Sequence, residues 1–239
     1  DVFDWQINSI IQETGENAVD IAHFGTVHES PEMPDGHVTI DSVFSEKVMN
    51  YAIKDAMSWA EEQLPTLEGK QRLWSMESRS GDVLRKLENP AHLRALFSEM
   101  AASPRLLELV CAVVGDEPSI FFSQIFFKAP WSGPKPLHQD NHYLKPQDGR
   151  QDFGDDLVTA WIALEDAQPE NGCLIYARGS HRKGLFKHEA PKDAPFHEQV
   201  CTEALRAYAV ESVPVLQGGV SLHHGRVVHG SRPNRSERW

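Results

Sequence analysis

Leu137-His138-Gln139-Asp140-Asn141-His142-Tyr143 is the stretch on which the reading of this chain turns. On a β-strand, side chains at i and i+2 share a face, so His138 and Asp140 can converge on one metal ion. Such a triplet arises often by chance, and a third donor is needed to give it weight. His229 offers one. It follows Val227-Val228 at the end of a late apolar run and precedes the turn sequence Gly230-Ser231-Arg232-Pro233-Asn234. Two imidazoles and a carboxylate, with other positions left open, suit ferrous iron that must also take O2 and a bidentate co-substrate. His223 and His224 compete for the third place, and the residues by themselves leave that choice open.

Outward from this centre the chain reads as strands. Residues 119–127, 157–164, 172–177, 212–216 and 220–228 are short, rich in β-branched or aromatic residues, and separated by turn clusters. Upstream the pattern is helical. Residues 45–64 place Val48, Tyr51, Ala52, Ala56 and Trp59 on one face, and Pro65 ends the run. Residues 90–100 and 104–114 each begin with Pro, and Gly115 closes the second. Helices followed by many short strands predict an α+β fold whose core is a barrel or sandwich. Residues 147–156 and 187–203 read as long loops of the kind that cover a site.

Composition narrows the function. The 239 residues hold 23 Lys plus Arg against 35 Asp plus Glu, a formal net charge of −12, which argues against a nucleic-acid surface. No apolar run approaches the ~18 residues of a membrane span. Residues 1–15 are polar and mixed in charge, unlike a signal peptide. The three cysteines, Cys111, Cys173 and Cys201, are scattered and odd in number, which predicts free thiols in a reducing, cytoplasmic setting. A small-molecule substrate is the expected partner. The chain opens at Asp1 and closes at Trp239 inside a motif, so both ends are expected to be cut.

Residues 137–143 closely resemble the metal motif of the phytanoyl-CoA dioxygenase family, and three further segments match in the same order. Val158-Thr159-Ala160-Trp161-Ile162-Ala163-Leu164 is similar to the family's next core strand. Residues 171–181, beginning Asn171-Gly172-Cys173-Leu174 and ending Gly179-Ser180-His181, resemble its following segment, with Ala177-Arg178 departing slightly. Residues 219–234 resemble its distal-histidine segment. The resemblance implies a double-stranded β-helix (jelly-roll, cupin-like) core with N-terminal helices over residues 34–239. It implies His138, Asp140 and His229 as ligands of Fe(II), with His224 behind them or in the core. It places 2-oxoglutarate contacts at Gln124, Trp161 and Ser231, and at Lys86 across a gap. It implies O2-dependent hydroxylation with release of succinate and CO2, and Asp140 disfavours the related halogenases. The family's carboxylate-clamping arginine would fall just past Trp239, which predicts truncation there. A metal-binding jelly roll without turnover is the alternative.

Residues 11–28 resemble a different iron protein, the catalytic domain of Rieske-type oxygenases, through Asn17, Asp20, His23 and His28. If helical, His23 and His28 would sit apart on the helix and would need it to bend near Gly25. No paired Cys and His ligands for a cluster occur in the chain. Residues 1–33 are therefore expected to be a remnant or fusion segment, a Rieske-type monooxygenase fusion being the further functional alternative. Among other residues, His181 is expected to hold a loop by hydrogen bonds, His188 and His197 to be solvated, Cys173 to be a small buried apolar residue, and Gln139 to have a minor role.

Overall fold

Two antiparallel sheets lie face to face, with helices on the outer side of the larger one. The structure is a computed structural model that describes residues 18–24, 33–67, 75–78, 81–115, 117–146, 148–190 and 198–239, with 18–24, 75–78 and 81–83 described through the backbone. In chain order the strands are β1 (Ala18–Phe24), β2 (His37–Ile40), β3 (Ser75–Ser78), β4 (Gly81–Leu84), β5 (Lys86–Glu88), β6 (Ser119–Phe126) and β7 (Lys135–His138). They continue with β8 (Leu157–Ala163), β9 (Leu174–Ala177), β10 (His188–Glu189), β11 (Gln199–Val200), β12 (Val210–Val213), β13 (Val220–His224) and β14 (His229–Ser231). The helices are α1 (Glu46–Gln63), α2 (Pro90–Leu93), α3 (Ala95–Ala101), α4 (Pro104–Val114) and the single turn α5 (Asp140–Tyr143). The larger sheet runs β2-β13-β8-β1-β6-β5 and the smaller β12-β9-β14-β7. This is the jelly-roll architecture expected from the sequence.

Local chemistry explains the helices. Ser45 caps α1 by accepting the Val48 N–H at 3.4 Å, and Pro65 lies in the 3-10 turn that ends it. One face of α1 buries Met49, Ala52, Ala56, Trp59 and Ala60. Helix α4 opens at Pro104 behind the cap Ser103 and ends on Gly115 at φ +76°, the left-handed position that glycine adopts freely. The single helix expected over 90–100 is two. Arg94 is extended between α2 and α3, and its guanidinium reaches Asp55 of α1 and lies 5.6 Å from the Trp59 ring. A tertiary ion pair overrides the local pattern there.

Strand β8 is buried along its whole length because it is covered on both faces. Val158, Ala160 and Ile162 join Met49, Ala52, Phe97, Leu106 and Val110 in the layer between sheet and helices. Trp161 and Ala163, from alternate positions, join Leu174 and Tyr176 of the smaller sheet in the barrel interior. Directly opposed residues of antiparallel strands share a face. One inward row therefore holds Thr39, Ser221 and Trp161, and in the same register beyond β1 Gln124 and Glu88, and the next brings His37, His223 and Thr159 together.

Several expectations need correction. Residues 18–24 form a strand between β6 and β8, where a helical geometry had been considered; Asp20 stands opposite Gln124 and Trp161, and His23 opposite Ile120 and Val158. Asn17 and His28 lie outside the described residues. The run 220–228 is two elements, with β13 ending at His224 and a turn at Gly225-Arg226 before β14. A Cβ at Gly225 would come within 2.8 Å of Leu157, so the chain turns tightly against β8. The strand expected at 212–216 is Val210–Val213, with Val215 forming a separate bridge to Ala167. Cys173 is buried as expected. Among the described residues no helix is long and apolar enough to cross a membrane.

Candidate metal centre

His138 and His229 face each other across the pairing of β7 with β14, their ring centroids 4.3 Å apart. Asp140 completes the group. Its Oδ1 lies 3.7 Å from His138 Nε2 and 3.6 Å from His229 Nε2. The three are the only triple among the described residues whose ligand atoms gather closely enough to share an ion. The route differs from the strand parity argued from sequence. His138 is the last residue of β7 and Asp140 the first of α5, so a turn of helix brings the carboxylate round. His229 opens β14 and does not end the preceding run.

The protonation states are built in. His138 Nδ1 lies 2.9 Å from the Pro136 carbonyl and His229 Nδ1 3.0 Å from the Val227 carbonyl. A carbonyl only accepts, so each Nδ1 carries the proton and each Nε2 offers a lone pair to the centre. Burial, with His229 and Lys135 nearby, pushes the His138 pKa well down and keeps the ring neutral. Burial alone would raise the Asp140 pKa, but the His229, His223 and His138 imidazoles outweigh it and hold the carboxyl far below the usual range. Two imidazoles whose Nδ1 atoms are engaged by the backbone and one ionised carboxylate, their ligand atoms within 4.8 Å of one another, suit a divalent transition metal.

The second carboxylate oxygen is already engaged. Thr159 Oγ1 donates to Asp140 Oδ2 at 2.6 Å, and His223 Nε2 lies 3.3 Å from the same oxygen. Since a carboxylate only accepts, His223 donates through Nε2, and its Nδ1 lies 3.0 Å from Tyr176 OH. Tyr176 OH in turn lies 2.9 Å from Ser221 Oγ. A chain of hydrogen bonds linking Ser221, Tyr176, His223 and Asp140 holds the carboxylate with one oxygen toward the centre. His37 stacks on Tyr176 at 4.1 Å. His223 is thus the histidine behind the ligands. His224 instead turns outward to Asp155 at 3.1 Å and accepts the Arg226 N–H.

Sequence reading missed four further residues. Gln139, given a minor role, is fully buried and ties three backbone groups: Nε2 donates to Gly184 O at 2.8 Å and Arg226 O at 2.5 Å, and Oε1 accepts Phe186 N–H at 2.7 Å. His188 is not solvated; it stacks on His142 at 3.7 Å and accepts the Gln139 N–H at 3.2 Å. His197 lies outside the described residues. Ser180, and not His181, holds its loop, accepting the Val228 N–H at 2.8 Å, while His181 Nδ1 is buried without a hydrogen bond. Thr159 was legible in principle, as a polar residue at an inward position of an apolar strand. At the site's edge His142 pairs with Glu198 at 2.5 Å and Tyr143 OH donates to the Glu198 carbonyl. Of the expected co-substrate contacts, Trp161 and Ser231 are buried, Gln124 shares the Trp161 row, and Lys86 is ion-paired with Glu88 at 2.7 Å.

A family model described as Phytanoyl-CoA dioxygenase (PhyH) matches residues 34–239. The chain belongs to this family. A probable alpha-ketoglutarate-dependent hypophosphite dioxygenase of Stutzerimonas stutzeri is 26% identical over 208 residues, covering 84% of this chain and 70% of that protein. The phytanoyl-CoA dioxygenase domain-containing protein 1 of Mus musculus is 34% identical over 148 residues, covering 59% of this chain and 49% of that one. Beyond the first of these, the chain spans about half the length of the curated relatives it matches. Among solved structures, the epimerase SnoN in complex with Fe3+, alpha ketoglutarate and nogalamycin RO superposes with a TM-score of 0.65 at 21% identity, covering 86% of this chain and 75% of that one. That likeness concerns the fold.

Proposed function

We propose that the protein is an Fe(II)- and 2-oxoglutarate-dependent dioxygenase that hydroxylates a small-molecule or lipid-like substrate, with release of succinate and CO2. The observation that carries this reading is the convergence of His138 Nε2, His229 Nε2 and Asp140 Oδ1 with both imidazole protons spent on backbone carbonyls. Bound ferrous iron would supply oxygen activation coupled to decarboxylation of the oxo acid. The chain's own residues do the rest. His138, Asp140 and His229 would hold the metal, while Thr159 and His223 engage the second Asp140 oxygen and leave one free to donate. Trp161, Gln124 and the buried Ser231 line the interior for the oxo acid, and Lys86, two residues before Glu88 of that row, adds a cation beside it. Tyr143, whose ring lies 5.7 Å from that of His138, shields the site toward Glu198.

The test is anaerobic titration of the chain with Fe(II) and 2-oxoglutarate, followed by the visible charge-transfer band of the chelate. Substrate-independent succinate formation in air is then measured. Wild type is expected to give both signals and His138→Ala neither. Absence of the band from wild type under saturating Fe(II) and 2-oxoglutarate refutes the proposal.

A further inference from the structure

Helix α5 is a single turn that begins at Asp140. His142 N–H to Gln139 O and Leu144 N–H to Asp140 O, both at 3.0 Å, close it. Four residues do not keep a helical shape unaided, because fixing the first turn costs more than its hydrogen bonds return. The direction in which Asp140 points therefore depends on what grips residues 139–143 from outside. Gln139 is tied through its amide to Gly184, Arg226 and Phe186. Asn141 donates its side-chain amide to Gly154 O at 2.7 Å and its N–H to Gly225 O at 2.9 Å. His142 has a different partner, in the hairpin of β10 and β11.

That hairpin is seated against the strands of the metal centre. Val200 of β11 is buried in one apolar cluster with Val228, and Leu137 packs against the same cluster. Val228 precedes His229 and Leu137 precedes His138. Glu198 stands two residues before Val200. Its carboxylate accepts from His142 Nε2 at 2.5 Å, and its carbonyl accepts from Tyr143 OH. From the other strand His188 lies flat on the His142 ring, 3.7 Å away and 6° from parallel, and accepts the Gln139 N–H at 3.2 Å. A surface pair of two loose side chains is worth little, since both must be immobilised to meet. Here neither is loose. His188 holds the His142 ring, and Tyr143 holds the backbone of Glu198.

We propose that Glu198 is a positioning residue for the metal centre, acting through His142 to set the rotation of the α5 turn and with it the aim of Asp140. This rests on the metal centre of the oxygenase reading and adds a residue that touches none of the three ligands. Glu198 is half exposed, so the apolar core does not depend on it. Without its carboxylate the His142 end of the turn loses its tie to the hairpin, and Asp140 Oδ1 drifts from the point where His138 and His229 converge. The loss falls on ligand geometry and leaves the fold in place.

The experiment loads the full chain with Co(II), whose visible absorption reports the geometry of its ligands, and measures the spectrum and the dissociation constant. Glu198→Ala is expected to weaken Co(II) binding about three- to tenfold and to alter the absorption bands, with the urea midpoint of the metal-free chain unchanged. Glu198→Gln, whose side-chain carbonyl can still accept from His142, is expected to recover most of both. His142→Phe keeps a ring on His188 and should reproduce the Glu198→Ala spectrum. In that background Glu198→Ala should cost less than about twofold more, as two changes on one path are not additive. Wild-type affinity and spectrum in Glu198→Ala overturn the proposal. So does a Glu198→Gln variant no better than Glu198→Ala, or a loss in Glu198→Ala matched by a lower urea midpoint. If wild type binds no Co(II), the metal centre fails, and the oxygenase reading fails with it.

Discussion

Replacing Gln139 by leucine should cost stability out of proportion to the change in shape. The side chain is fully buried, its residue lies between the candidate ligands His138 and Asp140, and its amide closes three backbone hydrogen bonds, to Gly184 O, Arg226 O and Phe186 N. Leucine fills a similar volume and makes none of them. Gly184 and Arg226 are partly exposed, so water can replace the amide at those carbonyls, and each loss is worth about 1 kcal/mol. Phe186 is buried, and stranding its N–H costs about 1–3 kcal/mol. The sum is about 3–5 kcal/mol, which for a chain of this size lowers the thermal midpoint by roughly 6–20 °C. Urea melts of the metal-free protein give the free energy, and scanning calorimetry gives the midpoint. Metal affinity should fall in parallel, because the clamp ties the loop between the ligands to the turns at Gly184 and Arg226. A loss below about 1 kcal/mol with unchanged metal affinity would refute the reasoning that this glutamine organises the centre.

Three other outcomes follow from contacts described above. Thr159→Val and His223→Phe each free Asp140 Oδ2, and each should weaken Mn(II) binding about 10–100-fold; wild-type affinity in both variants would show that the carboxylate needs no support. Burial, then the charge of His142, depresses His188 to about 4, and its two nitrogens are committed to Gln139 N–H and Phe186 O. The unfolded chain therefore takes up the proton first, at about 6.5, and stability falls as pH drops from there toward 4. Metal-free wild type should lose about 1–2 kcal/mol more than His188→Gln between pH 7.5 and pH 5; parallel urea-melt curves would contradict this. Gly218→Ala puts a Cβ 2.2 Å from the Phe44 carbonyl oxygen at φ +78°, and its thermal midpoint should drop by the equivalent of at least about 2 kcal/mol.

Much of this molecule could be read before its structure was known, and what could not be read shares a cause. The capped helices α1 and α4 are local: Ser45, Pro65, Ser103, Pro104 and Gly115 act within a few residues of themselves. The candidate ligands His138, Asp140 and His229 were legible because four ordered segments resemble one family. Their geometry was not, since whether Asp140 continues a strand or opens a helix turn depends on what surrounds it. Thr159 and His223 are neighbours only through the pairing of β8 with β13, so their shared grip on Asp140 required the register. Gln139 looked idle because strand alternation sends it away from the metal. That direction leads into the loops it ties. The strand at 18–24 was hidden for a related reason, as its partners β6 and β8 begin about a hundred residues further on.

The buried lysines bear on how a co-substrate arrives. Lys86, Lys128 and Lys135 all sit inside the protein, yet they are counted in the net charge of −12. The surface that faces solvent is accordingly more acidic than that figure suggests. A dianion approaching from solution meets a repulsive field over about a Debye length, some 8–10 Å, and feels the lysines only once inside. Association should therefore quicken as salt is added, the reverse of an electrostatically steered enzyme, while the escape rate of a ligand held in the interior changes little. Such a molecule is guarded at its surface and selective in its interior.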